Sequence, residues 1–544
     1  MQADLILYGG RVATPSGVAE ALAVKGDRIA AVGSSGRVLR FAGLGTHLVD
    51  LGGAAVLPGF IDCHMHPLTE AMVDVNLTSA RSLSEVYSMV RKAAREKARG
   101  EWVLGFGWSE AAIGGEPTRS ELDEVSEGRP VLLARVCLHS AVANSRALEL
   151  LKISRRTPVD EEKGVIIDYD SGVLKELAAE YALRYMLRQT PSEVKARRLQ
   201  ATLGKLASLG LATIVDAAAG IEELQAYRVL HKAGRLPVRV RVLLRALAVS
   251  TGRRSFTDPI RAVSLLDSLV DLKDVLVEDS WLRIQGIKLF LDGSLGARTA
   301  ALEEEYRDKP GCRGELLHTP SELRELVSKA HSAGLQVCIH AIGDRAVKAA
   351  LDALEDVARK ECSKLRHRIE HCQVLSRELI ARMRELGVIA SIQLSFATSD
   401  REMAACRLSS RQLEHAYPWK LLLEAGVKCC GGSDYPIEDA SPLTGVYNAA
   451  ARPLPPEARG DWSWYLSQRI SVRQAVDLLT ASAAYAIHEE NLMGSIEEGK
   501  YADLVALSEN PLEASLEGLK RIKVLMTVVG GGIRHLQLRP QSRA

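Results

Sequence analysis

Eight short, mostly apolar runs, each followed by a longer amphipathic stretch, dominate the middle of the chain: residues 58–64, 211–216, 238–244, 287–291, 335–340, 367–371, 388–393 and 427–434. Apolar runs of this length without strict alternation fit strands buried on both faces, as in a parallel sheet covered by its crossover helices. Eight βα units predict an α/β fold closed into a (β/α)8 TIM barrel. Residues 65–210 separate the first run from the second, far more than one helix needs. That gap contains two further strand-like stretches, 102–108 and 130–136, and is read as an inserted subdomain at the barrel mouth.

The two ends of the chain have a different texture. Residues 5–8 and 11–13, joined by Gly9-Gly10, read as a hairpin, and 21–24 with 28–32 as a second one. Near the other end, 502–507 and 522–529 read as strands, the second closed by Gly530-Gly531-Gly532. Both ends together predict one small β-sandwich. The expected division is 1–57 plus 491–544 for the composite β domain, 58–68 plus 200–490 for the barrel, and 69–199 for the insertion.

Charge excludes some partners. Lys and Arg number 70 against 68 Asp and Glu, so a net charge of +2 offers no global attraction to nucleic acid or an anionic membrane. Arg197-Arg198 and Arg253-Arg254 are isolated basic pairs, read as solvated helix faces. Nine cysteines, with no CxxC pair, fit a reducing compartment better than a disulfide scaffold. The first residues lack a basic segment and an apolar core of signal-peptide length, and no run approaches a membrane span. The expectation is a cytoplasmic protein acting on a small molecule, with a homodimer as the default oligomer.

The chemistry concentrates at the ends of the runs. His64-Met65-His66 closes the first, and residues i and i+2 of a strand point to one face, so both imidazoles can reach one metal ion. His340 ends the fifth run, His371 the sixth and Asp434 the eighth, while Lys288 lies inside the fourth. The C-terminal strand ends of such a barrel form its active-site face. Histidine and aspartate are ordinary ligands of Zn²⁺ and similar ions, so one or two divalent ions, Zn foremost, are expected there. A lysine in an apolar strand is costly as a cation, and burial frees its neutral amine. That amine can add carbon dioxide to give a bridging carbamate, or bind a substrate carboxylate.

These motifs resemble the amidohydrolase superfamily, and within it the long branch, amidohydrolase family 3, that includes N-substituted formamide deformylase. The resemblance rests on Leu57-Pro58-Gly59-Phe60-Ile61-Asp62-Cys63-His64-Met65-His66, on Gly286-Ile287-Lys288-Leu289-Phe290-Leu291-Asp292-Gly293-Ser294 and on His340-Ala341-Ile342-Gly343-Asp344-Arg345-Ala346. Ile369-Glu370-His371, Gly432-Ser433-Asp434-Tyr435-Pro436 and the 494–504 segment complete it. It implies that His64, His66 and Asp434 hold one metal, His340 and His371 the other, and that Lys288 bridges them. It also implies hydrolysis of a C–N bond in an amide, formamide or cyclic amide, with Asp434 as the proton carrier. Hydrolysis of an ester, lactone or phosphoester is the rival chemistry, and a non-catalytic binding barrel a more distant one. The chain departs from the branch at Gln393-Leu394, where Gln-Pro is usual.

Residues around this core are candidates for recognising substrate. His139 can stabilise an oxyanion or grip the substrate, or be structural. Trp108 can wall the pocket or simply pack. Asp292 and Arg298 can bind a polar substrate group or brace their loop, and Gln393 ends the seventh run. Asp62, in phase with His64, is a candidate support for the ligands. Cys63, Cys338, Cys372 and Cys430 lie near ligands but are read as packing.

Overall fold

The computed structural model describes residues 2–136, 139–159, 165–245 and 279–537; Arg253 and Arg254 lie outside them. All eight expected barrel strands form: Phe60–Met65, Leu211–Ala219, Arg239–Arg245, Leu282–Phe290, Gln336–Ala341, Arg368–His371, Ile389–Gln393 and Cys429–Gly432. They pair in parallel in chain order from first to eighth. The seam between the eighth and first strands is held by a bridge between Met65 and Tyr435. There the Asp434 N–H donates to the His64 carbonyl and the His66 N–H to the Tyr435 carbonyl, both at 2.7 Å. Closure therefore takes place at three of the expected ligands.

The helices follow their amphipathic pattern. Pro320–Ser332 opens with a Thr319–Glu322 capping box and proline in its first turn, and buries Leu323, Leu326, Val327 and Ala330. In the third strand Arg239 and Arg241 are fully buried, yet each meets a carboxylate in a two-pronged contact: Asp503 at 2.7 Å and Glu489 at 2.9 Å. Unpaired, either charge would be costly in a strand interior. Paired, they fasten the barrel to the C-terminal segment.

Two sheets from the chain ends pack on one apolar cluster that includes Leu7, Val24, Val56, Leu504 and Val528. One contains Leu5–Tyr8, Ala21–Lys25, Arg28–Gly33 and His47–Asp50; the other joins Arg11–Thr14, Gly17–Ala19 and Ala55–Pro58 to Leu504–Leu507, Val524–Val529 and Gly532–Leu536. The expected 21–32 hairpin is present. The 5–13 hairpin is not: at Gly9-Gly10 the chain passes from one sheet to the other, and a Cβ on Gly10 would lie 2.4 Å from Leu51. Gly532, expected to close a strand, instead begins one.

Residues 75–176 contribute a mixed six-stranded sheet whose members include Val103–Trp108, Val131–Arg135, Ser140–Ala143 and Val173–Glu176. The helix Leu177–Gln189 follows, then Ser192–Ser208, which leads into the second barrel strand and contains the boundary expected at 199/200. Leu199, Leu203 and Leu206 form one buried stripe along that helix.

Candidate metal centre

The first barrel strand delivers His64, and His66 follows its end, starting the helix Pro67–Met72. Asp434 comes two residues after the eighth strand. The His66 Nε2 lies 3.1 Å and the His64 Nε2 3.5 Å from the Asp434 Oδ1. One ligand atom from each residue lies within 4.8 Å of the others. His371 and His340 stand beside this group, with ring centroids 4.8 Å between His64 and His371 and 4.4 Å between His371 and His340. The Lys288 Nζ is 3.5 Å from the His64 Nε2. The six residues expected to converge are thus brought together at the C-terminal ends of the strands.

Protonation follows from burial. His64, His340 and His371 are held well below the usual imidazole range, first by loss of water and then by neighbouring positive groups. They are neutral, the form that donates a lone pair to a metal. Burial brings the Lys288 amine down to about 8 against the pull of Glu370 and Asp434. Among the described residues no carboxylate oxygen lies within ion-pair distance of it.

The donor set fits a divalent ion, and the surrounding bonds orient it. Glu370 accepts from the His64 Nδ1–H at 2.6 Å, which leaves the Nε2 lone pair facing Asp434. Burial pushes the Glu370 carboxyl up, but Arg368, 2.8 Å away, brings it below the usual range and keeps it ionised. The His340 Nε2–H donates to the Gly293 carbonyl at 3.0 Å, freeing Nδ1 as the ligand atom. The His371 Nδ1 is buried without a hydrogen-bond partner, an orphan that a metal would satisfy.

Backbone geometry is specialised at the same places. His371 and Asp434 have φ of 76° and 62°, a left-handed conformation that costs a non-glycine residue roughly 1–2 kcal/mol. Asp62 supports the seam: its Oδ1 accepts from the His64 N–H at 2.9 Å and the Ser433 N–H at 3.1 Å. Gly432 makes that approach possible, because a Cβ there would sit 2.8 Å from the His64 nitrogen.

The other expected site residues divide. Gln393 is fully buried at the end of the seventh strand, with its Oε1 unpartnered. The next residue, Leu394, donates its N–H to the Gly432 carbonyl at 3.3 Å, a bond that proline could not make. Asp292 is buried under the loop after the fourth strand and accepts from the N–H groups of Ala301, Ile342 and Gly343 at 2.9–3.0 Å. Arg298 does not join it; its partner is Asp308 at 2.7 Å on the exposed side of the loop. Trp108 does not wall the site either. Its ring is fully buried in the inserted sheet's own apolar cluster and donates to the Leu133 carbonyl at 3.1 Å. Cys63, Cys338, Cys372 and Cys430 are buried and free.

His139 stands in the inserted sheet with its Nδ1 2.8 Å from the Glu176 Oε2, and the Glu176 N–H bonds back to the His139 carbonyl at 2.8 Å. It interacts electrostatically with both Asp292 and His340. Glu176 precedes the helix Leu177–Gln189, whose Arg184 and Arg188 pair with Glu223 and Glu222 just beyond the second barrel strand, and whose Glu180 pairs with Arg245 at the end of the third. Glu370, Arg368 and Glu176 escaped the sequence reading. For the first two the hint was a second charge in phase with a first, two residues apart in a buried strand; Glu176 left none.

Comparison with known proteins agrees with this geometry. Residues 47–535 match the amidohydrolase family. The chain is 31% identical over 528 residues to the putative amidohydrolase YtcJ of Bacillus subtilis, covering 94% of this chain and 95% of that one. It is 28% identical over 563 residues to N-substituted formamide deformylase of Arthrobacter pascens, covering 98% of each. Among solved structures, an uncharacterized metal-dependent hydrolase from Pyrococcus horikoshii superposes with a TM-score of 0.78 at 27% identity, over 94% of this chain and 99% of that one. The chain belongs to the amidohydrolase family.

Proposed function

We propose that the protein is a metal-dependent hydrolase that cleaves a C–N bond in an amide, an N-substituted formamide or a cyclic amide. The observation that carries this reading is the clustering of His64, His66 and Asp434 ligand atoms within 4.8 Å of one another, beside two neutral, buried histidines and a buried lysine. His64, His66 and Asp434 would hold one ion, His340 and His371 a second, and Lys288, as its carbamate, would bridge them. The carbamate forms when the neutral amine adds to the carbon of CO2 and gives up a proton. Held there, a divalent ion, Zn²⁺ foremost, would supply hydroxide at neutral pH by lowering the pKa of water towards about 7.

The remaining steps belong to the chain. Asp434 takes the proton of the attacking water and passes it to the leaving nitrogen. Glu370 keeps the His64 lone pair aimed inward. His139, held by Glu176, faces the substrate's carbonyl oxygen from the inserted sheet, and the Gln393 amide receives the substrate's N–H. We take residues 69–199 as the specificity-bearing insertion, 58–68 with 200–490 as the barrel, and 1–57 with 491–544 as the composite β domain. Amides, N-substituted formamides, lactams, esters, lactones and phosphotriesters assayed with Zn²⁺-, Mn²⁺- or Co²⁺-loaded enzyme test the reading. Turnover of a C–N substrate is expected; turnover confined to esters or phosphoesters would overturn it. The full-length similarity to N-substituted formamide deformylase, at 28% identity, supports starting with formamides.

A further inference from the structure

At the other end of the barrel a second concave site is built from three elements. The helix Ser192–Ser208, the loop that enters the third barrel strand and the edge strand Gly532–Leu536 border an open surface cleft of about 630 Å³. Its lining carries three guanidinium groups, those of Arg197, Arg235 and Arg534, and no carboxylate. Among the described residues none of the three has an acidic partner within ion-pair distance. Their neighbours do: Arg198 meets Asp74 at 3.0 Å and Arg239 meets Asp503 at 2.7 Å. Among the described residues Asp503 is the acid whose charge reaches Arg534, and it is already paired with Arg239, so the cleft keeps a local excess of positive charge.

The cleft is also organised. Arg534 lies over the Trp281 ring at 5.2 Å, and Arg235 donates to the Gln200 side chain, so two of the three forks are held in place. Ala201, Gly204 and Gly234 line the floor, and a Cβ at either glycine would meet nothing within 4 Å. The volume falls within the usual range of small-molecule sites. Planar guanidinium forks match phosphate oxygens in pairs. Three forks around a cleft this wide call for a ligand with several linked anionic groups rather than one.

We propose that this cleft binds an oligophosphate, free or as the phosphate tail of a nucleotide, through Arg197, Arg235 and Arg534, and so ties the terminal sheet to the barrel. This proposal is independent of the metal centre. Thermal unfolding and calorimetric titration of the full-length protein with tripolyphosphate, ATP without Mg²⁺ and AMP, each against sulfate at matched ionic strength, test it. Tripolyphosphate is expected to bind and raise Tm where sulfate does not. ATP binding equally well identifies the nucleotide tail as the source, and weaker ATP binding the free oligophosphate. Each of Arg197→Ala, Arg235→Ala and Arg534→Ala should weaken binding about three- to fivefold, as expected for exposed charge pairs. The triple variant should abolish it, while Arg99→Ala, an exposed arginine elsewhere, should leave it unchanged. All three cleft arginines are exposed, so the variants should unfold at the wild-type Tm without ligand; Arg197→Glu alone is the second check should the triple variant be unstable. Tripolyphosphate binding no tighter than sulfate, or binding that survives the triple substitution, would overturn the proposal.

Discussion

The barrel mouth and the inserted segment are built by opposite means. At the mouth every ligand sits on a strand or within two residues of one, and the polar contacts around it are buried: Glu370 on His64, Asp62 on the seam, Gly293 on His340. The insert places its candidate substrate residue, His139, on a partly exposed histidine–glutamate pair, while the Arg184–Glu223 pair that fastens its last helix to the barrel is largely buried. Buried, satisfied contacts set a geometry that tolerates no change, whereas partly exposed pairs are weaker and can be altered without loss of the fold. The chemistry should therefore reside in the barrel and the choice of substrate in the insert.

Substitutions can break this contrast, beginning with the most damaging. Asp434→Asn should lower kcat about a thousandfold, the scale of losing a general acid–base, measured by steady-state assay on the substrate identified from the panel. Lys288→Ala should also abolish turnover, and bicarbonate with a short-chain carboxylic acid should restore part of it; full activity in this variant would remove the bridging role. In the insert, Trp108→Ala should destabilise by about 3–5 kcal/mol through loss of a buried indole, read by denaturant unfolding, and leave metal content unchanged. Glu370→Gln should weaken metal affinity about 10- to 100-fold, measured by chelator competition. His139→Ala should have the smallest effect, about tenfold in kcat/KM on the loss of one hydrogen bond to a charged group, again without loss of metal. Metal loss in the last variant would erase the distinction between the two regions.

Much of this architecture is written in the sequence. The eight strands could be read because a strand covered on both faces must be apolar, and the ligands because charged and imidazole side chains interrupt those runs at their ends. Lys288 stood out for the same reason. What could not be read depends on pairings between distant parts of the chain. The Glu370–His64 contact joins residues 306 apart, and the exchange between sheets at Gly9-Gly10 is decided by strands 21–25, 47–50 and 55–58, not by the local turn. The sequence leaves Trp108 open between two roles, because an aromatic after a Gly-Phe-Gly run looks alike whether it lines a pocket or fills a core; the structure places it in the core. Arg197, read as part of a solvated helix face, lines a cleft only because Arg235 and Arg534 come to meet it.

The central claim is that the barrel mouth holds a divalent metal through His64, His66 and Asp434. The most direct test is metal analysis of the purified protein after expression with Zn²⁺, Mn²⁺ or Co²⁺, alongside His64→Asn. At least one tightly bound divalent ion per chain is expected in the wild type, and loss of most of it in the variant. A wild-type protein without metal under all three supplements, or a variant with undiminished content, would contradict it.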